Sequence, residues 1–119
     1  MKFIDLQTQY EQHHDLIDAA ISRVFEHGQF VLGPEVQALE QKLAVRVGVP
    51  HCIGVSDGTA ALQLALTALG MGPGDEVIVP AFSFFASAST IVMVGATPVF
   101  VDINPDTYNI DVNLIEAAI

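Results

Sequence analysis

A chain of 119 residues is long enough for one domain with a modest hydrophobic core. Its formal charge of −10, with only four Lys and Arg residues, argues against a nucleic-acid-binding protein because no cationic surface is available to contact a phosphate backbone. Only 15% of the residues are charged, against roughly 25% in average soluble proteins, so we expect apolar surface to face another chain or a further part of the same protein.

The cysteine content and the N-terminus predict a cytoplasmic protein. Cys52 is the only cysteine, which excludes an internal disulfide and is typical of a reducing compartment. The N-terminal sequence MKFIDLQTQY lacks the apolar stretch of a signal peptide. Residues 77–101 carry no charge and are numerous enough to span a membrane, but Pro80, Gly95 and Pro98 favour a strand, a helix and a second strand instead. No membrane contact is therefore predicted.

Two amphipathic helices are predicted in the first half of the chain. Apolar residues at helical spacing indicate a helix over residues 7–27, with Gly28 as its C-cap. The second helix begins with Pro34 at its first position and ends at Gly48. Its predicted buried stripe consists of Val36, Leu39, Leu43 and Val47.

A strand, a turn and a helix follow between residues 52 and 70. Residues 52–55 predict a short strand, Ser56, Asp57 and Gly58 a turn, and the apolar run from Thr59 a helix. Ser56 and Asp57 are good N-cap residues. The unpaired amides of a first helical turn, together with the positive end of the helix dipole, favour phosphate binding. The alternative is an ordinary capped helix with nothing bound.

The next segments predict parallel strands joined by helices. The glycine-rich residues 70–74 follow a helix and precede a strand, which indicates a turn and not a phosphate loop. Residues 75–80 and 98–102 predict buried strands, and residues 81–94 contain a helix. This βαβαβ order favours an α/β layer architecture with right-handed crossovers.

Residues 102–106, Asp-Ile-Asn-Pro-Asp, have the oxygen spacing with which a calcium loop begins. Thr107 stands where that loop needs glycine, and Asn113 stands where it needs glutamate. The segment is therefore predicted to be an Asx/Pro turn, with Asp111 capping a last helix that begins at Val112. No metal site is predicted.

Five segments occur in order along the chain: FIDL at 3–6, GQFVLGPEV at 28–36, SDGTAAL at 56–62, GMGPGDEVIVPAFSFFAS at 70–87 and GATPVFVDINPDTYNID at 95–111. Together they resemble the pyridoxal phosphate (PLP)-dependent sugar aminotransferases of the DegT/DnrJ/StrS type, which have the fold-type I, aspartate-aminotransferase-like architecture. The resemblance implies that residues 1–119 form an incomplete PLP-transferase large domain, the N-terminal part of a three-layer α/β/α structure with a mostly parallel sheet.

In that architecture, N-terminal helices over residues 7–47 precede the start of the α/β core at 51–119. The resemblance also implies the order of the strands. Residues 77–79 and 99–101 should be parallel neighbours, and residues 52–55 should not pair with 77–79.

The resemblance further implies a PLP site. The phosphate would be held by the amides of Gly58, Thr59 and Ala60 and by the Thr59 hydroxyl, and Phe84 matches the aromatic residue that stacks on the cofactor ring. Asp57 places a carboxylate beside the expected phosphate, where the family often has a neutral residue. Two neighbouring aromatic residues, Phe82 and Phe85, are predicted to be core residues.

The implied reaction is transfer of an amino group, commonly from glutamate, to a keto nucleotide-sugar in polysaccharide or glycoside biosynthesis, by an enzyme that is a homodimer when complete. No catalytic residue is predicted in this chain. The lysine and the carboxylate that act on PLP lie on later segments in the family, so the chain alone should be inactive. Two alternatives are a PLP-dependent sugar dehydratase or lyase of the same fold, and a non-enzymatic α/β module that binds a phosphorylated ligand.

Overall fold

The computed structural model describes residues 3–119, which form two units: the residues up to Gly54, and Val55–Ile119. The first unit contains α1 (Leu6–His27) and α2 (Pro34–Val47). The Asp5 carboxylate caps α1 by accepting the Thr8 amide at 3.1 Å. Both helices end at a glycine with left-handed backbone, Gly28 with φ 68° and Gly48 with φ 77°. Both predicted helices are therefore confirmed, within one residue of their predicted ends.

The apolar stripe of α2 is not buried, so its prediction as a core stripe is wrong for this chain. Val36 is half-buried, whereas Leu39, Leu43 and Val47 are exposed. Among the described residues of α1 and α2, Ala44 is the only buried one. Helical spacing predicts which residues share a face, but burial also requires a second layer to cover that face.

The second unit contains α3 (Gly58–Ala68), β1 (Glu76–Pro80), α4 (Ala86–Met93), β2 (Thr97–Val101) and two short 3₁₀ helices, Val112–Leu114 and Glu116–Ala118. Strands β1 and β2 are parallel neighbours, with Ile78 opposite Val99. The predicted pairing of these two strands is confirmed. The uncharged stretch 77–101 forms strand, helix and strand, and no helix within residues 3–119 is long and apolar enough to cross a membrane.

A small core lies between α4 and the sheet. Val79, Ile91 and Ala96 are buried there. Half-buried apolar side chains from α3, β1, α4 and the residue after α4 pack around them. Thr90 is also buried, and its hydroxyl donates to the Ala86 carbonyl at 2.8 Å, so its one polar side-chain group is satisfied.

Residues 52–55 do not form the predicted strand. They have no regular secondary structure, and the Gly54 amide donates to the Glu40 carboxylate of α2 at 2.6 Å. A strand needs a neighbour to satisfy its amides and carbonyls, and here a side chain satisfies one of them. The described residues accordingly contain a two-stranded sheet, where the sequence predicted three strands.

Two predicted turns of the second unit are confirmed. In the glycine-rich turn, the Gly72 amide donates to the Asp75 carboxylate at 2.8 Å. Near the C-terminus, Asn104 Oδ1 accepts the Asp106 amide at 2.9 Å, which is the predicted Asx turn. Asp111 accepts the Asn113 amide at 3.0 Å and so caps the predicted last helix, which is a 3₁₀ turn in this chain.

Candidate phosphate and cofactor site

The start of α3 is capped by its own preceding residue. Asp57 has an extended backbone, with φ −165° and ψ 175°, and its carboxylate accepts the Ala60 amide at 2.9 Å. The Asp57 carbonyl accepts the Ala61 amide at 3.1 Å, which is the first intrahelical bond. The turn predicted from the sequence is therefore an N-cap, and one of the three amides expected to hold phosphate is already paired.

Two donors at this helix end are unengaged within residues 3–119: the Gly58 amide and the Thr59 hydroxyl form no hydrogen bond there. A Cβ added at Gly58 would meet no atom within 4 Å, so an acceptor can approach the backbone freely. Thr59 itself is half-buried. The chemistry of this donor set suits a phosphate, since backbone amides and a hydroxyl at a positive helix end all favour an anion.

The electrostatics of this helix end are dominated by Asp57. The Ala60 amide chiefly holds the pKa of the Asp57 carboxyl below its ordinary value of 3.8, with smaller contributions from the Ser56 hydroxyl and the Thr59 amide. The carboxylate is therefore charged at neutral pH. Every charged side chain in Val55–Ile119 is acidic, so within this unit an anion can be held only by dipoles and hydrogen bonds.

Phe84 lies between the end of β1 and the start of α4. Its side chain is 79% exposed, and its carbonyl accepts the Ser87 amide at 2.9 Å. Helix α3 leads through the short turn at residues 70–74 into β1, and such a helix returns antiparallel to the strand it feeds. From this connectivity we expect the start of α3 and the end of β1 to lie at the same edge of the layer, which is where α/β sheets bind ligands.

The two aromatic residues that flank Phe84 are not core residues, so that prediction is wrong for this chain. Phe82 is 67% exposed, with its ring centre 6.1 Å from that of Tyr108. Phe85 is 79% exposed and lines an apolar cavity of about 430 Å³ on the surface of α4 and β2. Aromatic residues pack as core only where a further layer covers them, and α4 with two strands leaves this face uncovered.

Sequence reasoning missed a hydroxyl pair on either side of Phe84. Ser83 Oγ and Ser87 Oγ are 2.9 Å apart and link the segment before α4 to its first turn. The two serines are four residues apart in the sequence, but Ser83 precedes α4, so helical spacing gave no signal for this contact. The pair restricts the backbone that carries Phe84.

No residue of this unit can bind an aldehyde as a lysine does, because both lysines precede it in the chain. Lys42 is exposed on α2, and Lys2 lies outside the described residues. Within residues 3–119 no group of three or more His, Cys, Asp or Glu side chains could hold a metal ion. The chemistry that these residues offer is thus anion binding and aromatic stacking.

Comparison with known proteins gives the same family. The chain is 55% identical, over all 119 residues, to the UDP-2-acetamido-2-deoxy-3-oxo-D-glucuronate aminotransferase of Pseudomonas aeruginosa, of which it covers 33%. A solved aminotransferase from Brucella abortus matches 98% of the chain with a TM-score of 0.93 and 48% identity, and the chain covers 31% of it. NtdA from Bacillus subtilis, solved with bound cofactor PMP, matches 91% of the chain with a TM-score of 0.86 and 39% identity, and the chain covers 25% of it.

These likenesses establish the fold class as that of the PLP-transferase aminotransferases, and solved relatives contain the cofactor as PLP and as its aminated form, PMP. The chain spans about a third of the length of the curated relatives that it matches. The family model for DegT/DnrJ/EryC1/StrS aminotransferases matches residues 11–119, which is most of the sequence. The chain therefore belongs to the DegT/DnrJ/EryC1/StrS aminotransferase family.

Proposed function

We propose that the chain is the N-terminal part of a PLP-dependent aminotransferase that moves an amino group, from glutamate, to the keto group of a nucleotide-linked sugar. The observation that carries the proposal is the 55% identity, along the whole chain, to an aminotransferase whose named substrate is a 3-oxo UDP-sugar acid. Relatives named for other keto or amino nucleotide-sugars are 45% to 46% identical over nearly the whole chain. These names support a keto nucleotide-sugar as the substrate class.

In this proposal, the start of α3 binds the phosphate of the cofactor. Gly58 contributes an amide with open space around it, Thr59 contributes its amide and its hydroxyl, and Ala60 contributes an amide that Asp57 holds in this structure. Phe84, which is exposed just after β1, would stack on the cofactor ring. When bound, PLP supplies the electron sink on which amino transfer depends.

The same proposal assigns residues 1–119 to one incomplete large domain, with its N-terminal helices over 7–47 and the start of its α/β core over 51–119. The complete enzyme is a cytoplasmic homodimer, and its product enters polysaccharide or glycoside biosynthesis. A relative named for spore coat polysaccharide biosynthesis, 48% identical over 99 residues, supports that role.

The decisive experiment extends the chain. Expression of the coding sequence beyond Ile119 should yield a PLP-containing protein that transfers the amino group of glutamate to a 3-keto UDP-sugar. Mass spectrometry of the sugar measures this transfer. Replacing Thr59 by Val in that protein should weaken PLP binding by about 1 kcal/mol or somewhat more, the scale of one hydrogen bond to a charged group. Loss of a sugar hydroxyl without gain of an amino group would instead identify a dehydratase.

The 119-residue chain itself should be inactive. Borohydride fixes PLP covalently to any lysine that has reacted with its aldehyde, and the only candidates are Lys42, exposed on α2, and Lys2. Peptide mapping after reduction should therefore show slow surface labelling and no stoichiometric adduct. A single, fully labelled lysine together with amino-donor turnover would show that the chain carries its own catalytic lysine.

A further inference from the structure

The Asp57 carboxylate accepts a hydrogen bond from an amide that an anion bound at the start of α3 would also use. One of its oxygens accepts the Ala60 amide at 2.9 Å, and the other accepts the Ser56 hydroxyl at 3.1 Å. The carboxylate is exposed and, at neutral pH, it can only accept hydrogen bonds. The first turn of α3 is thus already supplied with a negative charge by the chain itself.

A phosphate bound to the same turn requires the same donors. Ala60 offers one amide, and an amide has a single hydrogen to donate. Two anions at this helix end would also repel each other, and no Lys or Arg in Val55–Ile119 can offset that repulsion. A phosphate can approach at Gly58, where the backbone is open, but it cannot use the Ala60 amide until the carboxylate leaves.

We propose that Asp57 competes with the cofactor phosphate for the first turn of α3, so that cofactor binding displaces the Asp57 carboxylate from the Ala60 amide. The inference rests on the proposed function, because it takes this turn as the phosphate site. Without the cofactor, Asp57 keeps the helix start capped and ordered. With the cofactor, the phosphate takes over the cap, and part of its binding energy replaces the bond that Asp57 gives up. Asp57 is therefore a residue that weakens cofactor retention.

The test compares Asp57→Asn with Asp75→Asn in the full 119-residue chain. Asn caps helices as well as Asp, so Asp57→Asn keeps the helix start while removing the charge. Asp75 is the matched control because it also accepts a backbone amide, that of Gly72, at an exposed turn of the same unit. The probe is pyridoxine phosphate, which lacks the reactive aldehyde, and binding is measured by equilibrium dialysis, with pyridoxine as the probe without phosphate.

Removing the charge at residue 57 should tighten pyridoxine phosphate binding by about fivefold, the scale of one close charge pair in water, and leave pyridoxine unaffected. Asp75→Asn should change either affinity by less than about twofold, since its carboxylate lies in a separate turn. Hydrogen exchange should show that the probe protects the amides of residues 58–60.

Thr59→Val separates this inference from the proposed function. If Thr59→Val weakens binding but Asp57→Asn does not tighten it, phosphate binds at α3 and the competition is refuted. Equal tightening by Asp57→Asn and Asp75→Asn would also refute it, because the effect would then follow net charge alone. If neither wild type nor Asp57→Asn binds the probe at residues 58–60, both in the 119-residue chain and in the protein expressed beyond Ile119, both the inference and the phosphate assignment are wrong.

Discussion

The two units differ in what holds their helices in place. In the first unit, the helix ends are fixed by local signals, the Asp5 cap and the terminal glycines, while most apolar side chains of α1 and α2 are exposed. In the second unit, similar local signals are joined by a core in which Val79 and Ile91 are buried. Local chemistry therefore determines where helices begin and end, whereas only a second layer determines which of their faces is buried.

The largest expected effect of this difference concerns the state of the isolated chain. Large apolar side chains are exposed in both units, and within residues 3–119 the outer edges of β1 and β2 have no partner strand. Such surfaces favour association. We expect sedimentation velocity to show oligomers or aggregates, and thermal circular dichroism to show a broad transition. A sharp, cooperative transition by a monomer at micromolar concentration would contradict this expectation.

The second prediction compares one isoleucine from each unit. Ile91 is 2% exposed in α4 and Ile21 is 50% exposed in α1, so the same substitution removes the same atoms from two environments. Ile91→Ala should lower the free energy of unfolding of the second unit by about 2–4 kcal/mol through transfer and cavity costs. Ile21→Ala should cost less than about 1 kcal/mol.

Hydrogen exchange measures both effects, with the β1 amides reporting on the second unit and the α1 amides on the first. The comparison fails if Ile21→Ala costs as much as Ile91→Ala. In that case α1 would be buried against another copy of the chain in solution. The contrast between the two units would then hold only for a single copy of the chain.

The sequence predicted most of the fold for reasons that are local. Three signals act only on their own backbone or on that of near neighbours. They are the proline at the first position of α2, the glycine after each of α1 and α2, and Asp111 before the last helix. The parallel pairing of residues 77–79 with 99–101 came from the family resemblance, because strand order is not encoded in any one segment. The prediction of a strand at residues 52–55 was wrong because a strand exists only beside a partner strand, which a local pattern does not supply.

The candidate site was predictable in part for the same reasons. Ser56, Asp57 and Gly58 identified the start of α3 by their capping chemistry, but no local rule decides whether the cap is the chain's own carboxylate or a bound phosphate. In this structure the Ala60 amide donates to the Asp57 carboxylate, so the cap is the chain's own side chain. The pair of Ser83 and Ser87 was missed because two hydroxyls four residues apart are too common a pattern to be informative.

The smallest expected effect concerns the loop that joins α1 to α2. The His27 ring contacts both sides of it: Nδ1 accepts the Gln29 amide at 3.0 Å, and Nε2 lies 3.0 Å from Glu35 Oε2. Since a backbone amide can only donate, Nδ1 acts as the acceptor and carries no hydrogen. The ring hydrogen is therefore on Nε2, which donates a hydrogen bond to Glu35. The same ring thus fixes the loop at its start and ties it to the first turn of α2. Leu32 within the loop has φ 51°, a left-handed backbone that is strained for a leucine.

Replacing His27 by Ala removes both bonds and leaves the Gly28 cap on the Val24 carbonyl intact. The Gln29 amide should then exchange about threefold to tenfold faster, the scale of one exposed hydrogen bond. Glu35→Ala should accelerate that amide less, since the bond to Nδ1 remains. His13→Ala is the matched control, because His13 is exposed on the same helix and no hydrogen bond of its ring is found within residues 3–119. Equal acceleration by His13→Ala would show that the loop depends on the stability of α1 as a whole and not on the His27 ring.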